Sequence, residues 1–274
     1  MNKEIIKRIL PTIVFILFLI PAIGSSILDL QQKKVNEENE ITKQGILAEQ
    51  KSEQNAAEKI YLLGQFDPSQ NPDFAIVPAQ YGVSGYQMYL RKETLVAFLE
   101  MADAAEKNGV ILKIASATRN FIYQKNLWNA KWQNFSKTIP DGLAVFKKIL
   151  EYSAVPGTSR HHWGTEIDIN AATPEYFETE AGEKVYDWMT KNAWEFGFCQ
   201  PYNQKINAEN DNGRDTGYSE ERWHWSYLPL SINFTEQYKS LITEADIKGF
   251  DGDQYVAGQN LIKNFVLGIN PKCI

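Results

Sequence analysis

Histidine and cysteine are scarce in this 274-residue chain, and the scarcity narrows the chemistry open to it. Only three histidines occur, His161, His162 and His224, so a transition metal held through imidazole must draw on nearly all of them. The two cysteines, Cys199 and Cys273, are too few for a zinc cluster built from three or four thiolates. Positive charge is also short: 28 Lys and Arg stand against 34 Asp and Glu, a formal net charge of -6. With no dense basic patch in the folded part, binding to nucleic acid is set aside, because it needs Lys and Arg to displace counterions. No internal repeat is visible. What remains is an ordinary globular composition, 43% hydrophobic and 12% aromatic.

The N-terminus carries Lys3, Lys7 and Arg8, then an almost wholly apolar run from Ile9 to Ile23, with small residues around Ala22-Ile23-Gly24. That is the pattern of a secretory signal peptide. An uncleaved anchor is the other reading, although the run is shorter than the roughly 20 residues a spanning helix needs and contains Pro11 and Pro21. Either way the basic end stays inside and the rest of the chain is exported to the periplasm or cell envelope, with membrane attachment only through this segment. No cysteine follows the run, which excludes lipid attachment there. Residues 30–58 are rich in Gln, Glu, Lys and Asn and read as a solvated helical or disordered linker. Their apolar heptad positions are too sparse for a coiled coil. The expected organisation is a signal peptide or signal anchor at 1–29, a polar linker at 30–58, a catalytic domain at 59–231, and a C-terminal extension at 232–274 packed on that domain.

Within the domain, Leu95, Phe98, Leu99, Ala102 and Ala105 recur at helical spacing over residues 92–108, and Gly109 follows as a stop. Residues 110–117 read as a buried strand, 121–132 and 141–152 as helices, 165–169 as a strand, 180–196 as a helix ended by Gly197, and 222–228 as a short aromatic strand. Thr235 is a candidate helix cap. Strands and helices mixed without a regular βαβ rhythm imply an α+β fold.

The chemistry concentrates in two segments. In Ser159-Arg160-His161-His162-Trp163-Gly164-Thr165-Glu166-Ile167-Asp168, His161 and Asp168 are seven residues apart. A helix would separate them by about 10 Å and an extended strand by about 20 Å, so only a chain reversal lets both reach one ion. Gly164 is a plausible pivot for that reversal. In Glu221-Arg222-Trp223-His224, a carboxylate precedes a histidine by three residues. If His224 joins His161 and Asp168, two imidazoles and one carboxylate leave a fourth zinc position open, as catalytic sites do. Zinc lowers the pKa of a bound water toward about 7, and Glu221 is the natural group to take its proton.

These segments resemble the VanY-type D-alanyl-D-alanine carboxypeptidases of the LAS group of zinc metallopeptidases. That group has the signature S-x-H-x-x-G-x-A-x-D, met here by Ser159, His161, Gly164 and Asp168, and a later E-x-W-H, met by Glu221, Trp223 and His224. A third block, S-G-Y-R-S followed by Gln, is similar to Ser116-Ala117-Thr118-Arg119-Asn120 with Gln124. The blocks keep the family's order and span roughly residues 60–230. The resemblance implies an α+β, LAS/hedgehog-like peptidase fold whose small antiparallel sheet carries the zinc site between flanking helices. It implies His161, Asp168 and His224 as zinc ligands, Glu221 as general base, and Arg119 as the group that stabilises developing charge, which a guanidinium in a water-poor cleft can do. Gln124 and Ser159 match positions lining the substrate pocket. Trp223, in alternation with Trp225 and Tyr227, suits the core and also a wall of the cleft.

One position departs from the family: its usual Ala, two before the Asp, is Glu166 here. Glu166 and Asp168 share a strand face, so this added carboxylate either alters the site or pairs with a neighbour such as an arginine. His162 adjoins His161 but points away from it, as a support for the site behind its ligands, as a substrate contact or as a surface residue. Cys199 and Cys273 form a disulfide or remain two free buried thiols; an exported compartment permits the bridge. The implied activity is zinc-dependent removal of a terminal D-amino acid from peptidoglycan stem peptides, D,D or L,D. The rival readings are a cross-link endopeptidase and a non-catalytic zinc-containing domain that binds wall or peptide. Taken singly, a His is usually packed or surface and an Asp solvated; here three blocks coincide.

Overall fold

A computed structural model describes residues 3–83, 85–206 and 213–274, with residues 3–29 as backbone only. Two compact units divide the chain, Met1–Ala56 and Ala57–Ile274. The first belongs to helix α1 (Lys3–Leu62), and its side chains from Leu30 onward are largely exposed, Val35, Ile41 and Leu47 included. Among the described residues no helix is long and apolar enough to cross a membrane. The signal-peptide or anchor reading of residues 1–29 falls on side chains outside the described residues.

In the second unit, the end of α1 buries Leu62 and Leu63, and Lys59 pairs with Asp246 at 3.0 Å. Strand β1 (Phe74–Ile76) pairs antiparallel with β2 (Tyr89–Arg91). Helix α2 (Lys92–Lys107) buries Leu95, Phe98, Ala102 and Ala105 of the expected stripe together with Met101, while Leu99 is only partly buried against the same core, and Gly109 at φ 69° follows its end. Strand β3 (Ile114–Ser116) is shorter than the 110–117 expected. The reason is Asn170, whose side chain accepts from the Lys113 N–H at 2.7 Å and donates to the Ile111 carbonyl at 3.0 Å. A side chain thus takes backbone groups that a neighbouring strand would otherwise pair.

Helix α3 (Phe121–Phe135) is capped by the Asn120 side chain and α4 (Gly142–Leu150) by that of Asp141. Then come β4 (Glu166–Ile169), α5 (Pro174–Phe177), α6 (Glu180–Asn192), β5 (Phe198–Cys199), β6 (His224–Tyr227) and α7 (Leu228–Leu241). Thr235, expected as a cap, lies inside α7; the helix starts at Leu228 with Pro229 in its first turn, and the Thr235 hydroxyl donates back to the Ser231 carbonyl at 2.7 Å.

Four strands form an antiparallel sheet in the order β3-β4-β6-β5. Its central pair sets Asp168 opposite His224, Ile167 opposite Trp225 and Glu166 opposite Ser226. Because side chains alternate across a strand, Ile167, Ile169 and Trp225 face the core shared with α2 and α6, where Phe98, Met101, Val185 and Met189 pack. Glu166, Asp168, His224 and Ser226 occupy the other face, and all four are buried. A second core gathers Trp128 of α3, Phe146 and Ile149 of α4, and Phe250, Val256 and Leu261 from beyond α7. Cys199 and Cys273 are bridged, with a Cα–Cα distance of 5.7 Å, so the end of the chain is tied to the edge strand β5. The architecture is α+β, a small antiparallel sheet flanked by helices.

Candidate active site

The reversal needed between His161 and Asp168 is made at Gly164, which sits in the left-handed region at φ 76°. Any side chain there would be strained, and a Cβ would come within 2.4 Å of the Phe74 ring. A short 3-10 turn, Arg160–Trp163, carries His161 on one limb, and β4 carries Asp168 on the next. A second turn, closed by the His224 N–H to the Glu221 carbonyl at 3.2 Å, brings Glu221 back over the start of β6. Glu221 is fixed further by its own N–H to the Tyr202 carbonyl at 2.8 Å and by Gln200 donating to its carbonyl at 3.0 Å.

His161 Nε2, His224 Nδ1 and Asp168 Oδ1 form a nearly equilateral triangle. The two nitrogens are 3.1 Å apart, His161 Nε2 is 3.2 Å from Asp168 Oδ1, and His224 Nδ1 is 3.1 Å from it. These residues are buried, and among the described residues they are the group of His, Cys, Asp and Glu whose ligand atoms converge closely enough to hold one metal ion. Zinc bonds of about 2.0–2.1 Å in a tetrahedron put ligand atoms about 3.3–3.4 Å apart, so the triangle fits with minimal adjustment.

Hydrogen bonds behind the rings set which nitrogen points inward. His161 Nδ1 lies 2.7 Å from the Ala117 carbonyl, which can only accept, so Nδ1 carries the proton and Nε2 is left bare. His224 Nε2 lies 2.9 Å from the Glu166 carboxylate, so the proton sits on Nε2 and Nδ1 faces the triangle. Three electron-rich atoms in van der Waals contact repel one another unless a cation or a proton lies between them. Burial opposes charge on His224, but its bonds to Asp168 and Glu166 outweigh that and raise it to about 9. His161 is pushed down to about 4 by burial and the nearby Arg119 cation. Burial likewise opposes charge on Asp168, yet the two histidines and Arg119 hold its carboxyl well below the usual range.

Glu221 differs. Its carboxylate Oε2 is 3.8 Å from His224 Nδ1, and none of the described groups donates a hydrogen bond to the carboxylate. Burial raises it to about 7, against the pull of His224 and with the Asp168 charge adding to the rise. Arg119 lies beside the triad, its guanidinium 3.6 Å from Asp168 Oδ2 and 3.3 Å from the Ser116 hydroxyl. Its Nε is buried without a hydrogen-bond partner, an uncommitted donor beside the cleft.

All eight residues singled out in the sequence line one cavity of about 440 Å³: Arg119, Gln124, Ser159, His161, Asp168, Glu221, Trp223 and His224. Gln124 is held by its amide donating to the Ala154 carbonyl at 2.7 Å. Trp223 belongs to the core beneath the sheet and also walls this cavity, its ring 6.3 Å from that of Tyr152. Lys131 and Ser153, hydrogen-bonded to each other, line the same cavity and were missed. The signal was present: Lys131 is seven residues after Gln124, two helical turns along the same face of α3.

Glu166 and His162 stay behind the cavity wall. His162 is fully buried, which overturns a surface placement. Its Nε2 accepts from the Gly157 N–H at 3.0 Å, so Nδ1 donates to the Arg119 carbonyl at 2.6 Å. Burial drives its pKa down to about 3, and the neutral ring clamps the backbone that carries Arg119. Glu166 takes the arginine partner that its position suggested: Arg160 Nε is 3.4 Å from Glu166 Oε1, and both side chains are fully buried.

The family model described as VanY, D-alanyl-D-alanine carboxypeptidase, matches residues 87–230. A D-alanyl-D-alanine carboxypeptidase of Enterococcus faecalis (strain ATCC 700802 / V583) is 30% identical over 181 residues, 64% of this chain and 62% of that protein. A D-alanyl-D-alanine carboxypeptidase of Enterococcus faecium is 26% identical over 165 residues, 60% of this chain and 46% of that protein. The chain thus spans less than two thirds of the length of these curated relatives. Among solved structures, a vancomycin-resistance D,D-pentapeptidase VanY mutant in complex with Zn(II) is 25% identical with a TM-score of 0.43, covering 66% of this chain and 93% of that one.

Proposed function

Because the chain belongs to the VanY family of D-alanyl-D-alanine carboxypeptidases, we propose that it is a zinc-dependent carboxypeptidase that removes a terminal D-amino acid from peptidoglycan stem peptides. The observation that carries this reading is the convergence of ligand atoms from His161, Asp168 and His224 beside Glu221, whose carboxylate receives no hydrogen bond from the described groups. His161 Nε2, Asp168 Oδ1 and His224 Nδ1 would hold the zinc. Bound there, zinc lowers the pKa of water and polarises a carbonyl.

The remaining steps belong to the chain's own side chains. Glu221, poised near neutral pH by burial, takes a proton from the attacking water and later delivers it to the leaving amine. Arg119, beside Asp168 with a free donor, stabilises negative charge developing on the scissile carbonyl oxygen, an effect typically of about 2.7–4 kcal/mol per donor. Gln124, Ser159 and Trp223 line the space where the stem peptide lies. The reading places the reaction outside the cytoplasm, where peptidoglycan is found, in keeping with the signal pattern of residues 1–29.

The test is mass analysis of muropeptides incubated with purified protein and zinc. Loss of a single terminal residue is the expected product. Separated cross-linked stems would make the protein an endopeptidase, and bound zinc without turnover would make it a binding domain.

A further inference from the structure

The position where the family usually has alanine holds the one carboxylate that touches His224 from behind. Glu166 Oε2 accepts from His224 Nε2 at 2.9 Å, and Glu166 Oε1 accepts from the Ser226 hydroxyl at 2.7 Å and the Thr165 hydroxyl at 3.1 Å. Arg160 neutralises the carboxylate at 3.4 Å and is itself held by the Thr235 hydroxyl at 2.9 Å and the Ser226 hydroxyl at 3.0 Å, with its guanidinium over the Trp163 ring. Thr235 belongs to α7, so the network reaches from β6 into the C-terminal part of the chain.

We propose that Glu166, backed by Arg160, is a positioning residue for the metal centre: it locks the His224 ring with Nδ1 toward His161 and Asp168. The inference rests on the reading of that triad as a zinc site. His224 is 3% exposed, so its Nε2 proton needs a buried acceptor, and a buried donor without one is costly. Among the described residues Glu166 is the acceptor that meets it. Without Glu166 the ring could turn so that Nε2 faces the triad, which would move the ligand atom. A carboxylate behind a ligating imidazole also raises the basicity of the nitrogen in front. Arg160 is what makes a buried, ionised carboxylate tolerable in this place, because a lone buried charge would be expelled or neutralised. The metal ligand, its orienting acid and the acid's counter-ion therefore come as a set, and α7 supplies the group that holds the counter-ion.

A purely structural role, in which Glu166 serves only to neutralise Arg160, makes a different forecast. The experiment measures zinc affinity by chelator competition for the full chain, E166Q, and the paired variant R160M/E166L, which removes both charges at similar volume. Circular dichroism checks that each is folded. Loss of the carboxylate is expected to weaken zinc binding by about 10- to 100-fold in the paired variant, and by less in E166Q, whose amide oxygen still accepts from Nε2. Ring nitrogen NMR of the zinc-loaded wild type supplies a readout that no variant can spoil, with only three histidines to assign. It should show His224 protonated at Nε2 and metal-bound at Nδ1. Zinc on Nε2, or a folded paired variant that binds zinc as tightly as wild type, would overturn the inference. A wild type that takes up no zinc would overturn the metal reading itself, a result distinct from either.

Discussion

Glu166 and Glu221 flank the same imidazole, and both are buried, at 0% and 6% exposure, yet their surroundings drive them apart. Burial alone would raise both. Behind His224, the Arg160 charge and the His224 and Ser226 bonds overcome burial and hold Glu166 down at about 2. In front, none of the described groups donates to the Glu221 carboxylate, and the Asp168 charge adds to burial to lift it to about 7. One residue type is thus driven in two directions by its surroundings: Glu166 is held as an anion, and Glu221 is lifted toward neutral pH, where the proposed proton transfer would use it. Titratable neighbours pushed in opposite directions mark an acid–base site.

The largest effect is expected at the working glutamate. Glu221→Gln removes the proton carrier and leaves the three ligand atoms in place, so kcat should fall by about 10²–10⁴-fold while zinc content is kept. Steady-state rates and metal analysis on one preparation check this; an unchanged kcat would erase the distinction between the two glutamates. On the bracing side the effect should appear in stability instead. Arg160→Met strands the Glu166 charge in the interior and should cost about 3–5 kcal/mol in urea unfolding, whereas replacing both members of the pair should cost far less.

Further from His224, reduction of the Cys199–Cys273 bridge frees the C-terminal end from β5. A loss of roughly 2–4 kcal/mol is expected in thermal or urea unfolding with and without reductant. The smallest effects lie in the pH dependence of the metal-free protein, and they have opposite signs. Glu166 falls from its ordinary 4.5 to about 2, so its stabilisation is present above pH 4.5 and is lost as pH falls through 2. Glu221 rises from 4.5 to about 7, so its contribution is present below pH 4.5 and is lost as pH rises through 7. Unfolding free energies over a pH series should lose the acid limb in E166Q and the neutral limb in E221Q. Identical profiles for the two variants would contradict the comparison.

The front of the site was legible in the sequence and the back was not. His161, Asp168, Glu221 and His224 sit in short motifs, and Gly164 announces the reversal that joins the first two. The helices expected over 92–108 and 180–196 follow from apolar periodicity and glycine stops; the second is α-helical to Asn192 and reaches Gly197 through a 3-10 turn. The brace could be posed only as a choice, because Glu166 meets its partners by strand pairing with β6 and through a helix some 70 residues away, and sequence spacing carries no such contacts. His162 could likewise be posed only as a choice: alternation assumes an extended limb, but a 3-10 turn carries it, buried, against the Arg119 backbone, so only the surface alternative fails. Thr235 looked like a cap because hydroxyl residues favour helix starts; a proline six residues earlier had already begun the helix.

Turnover is expected to depend on zinc held by His161, Asp168 and His224. This dependence is tested most directly by assaying stem-peptide hydrolysis on one sample as purified, after stripping with a chelator, and after zinc is restored. The expected result is activity lost on stripping and regained in proportion to bound zinc. Hydrolysis that continues undiminished in the stripped protein would contradict it.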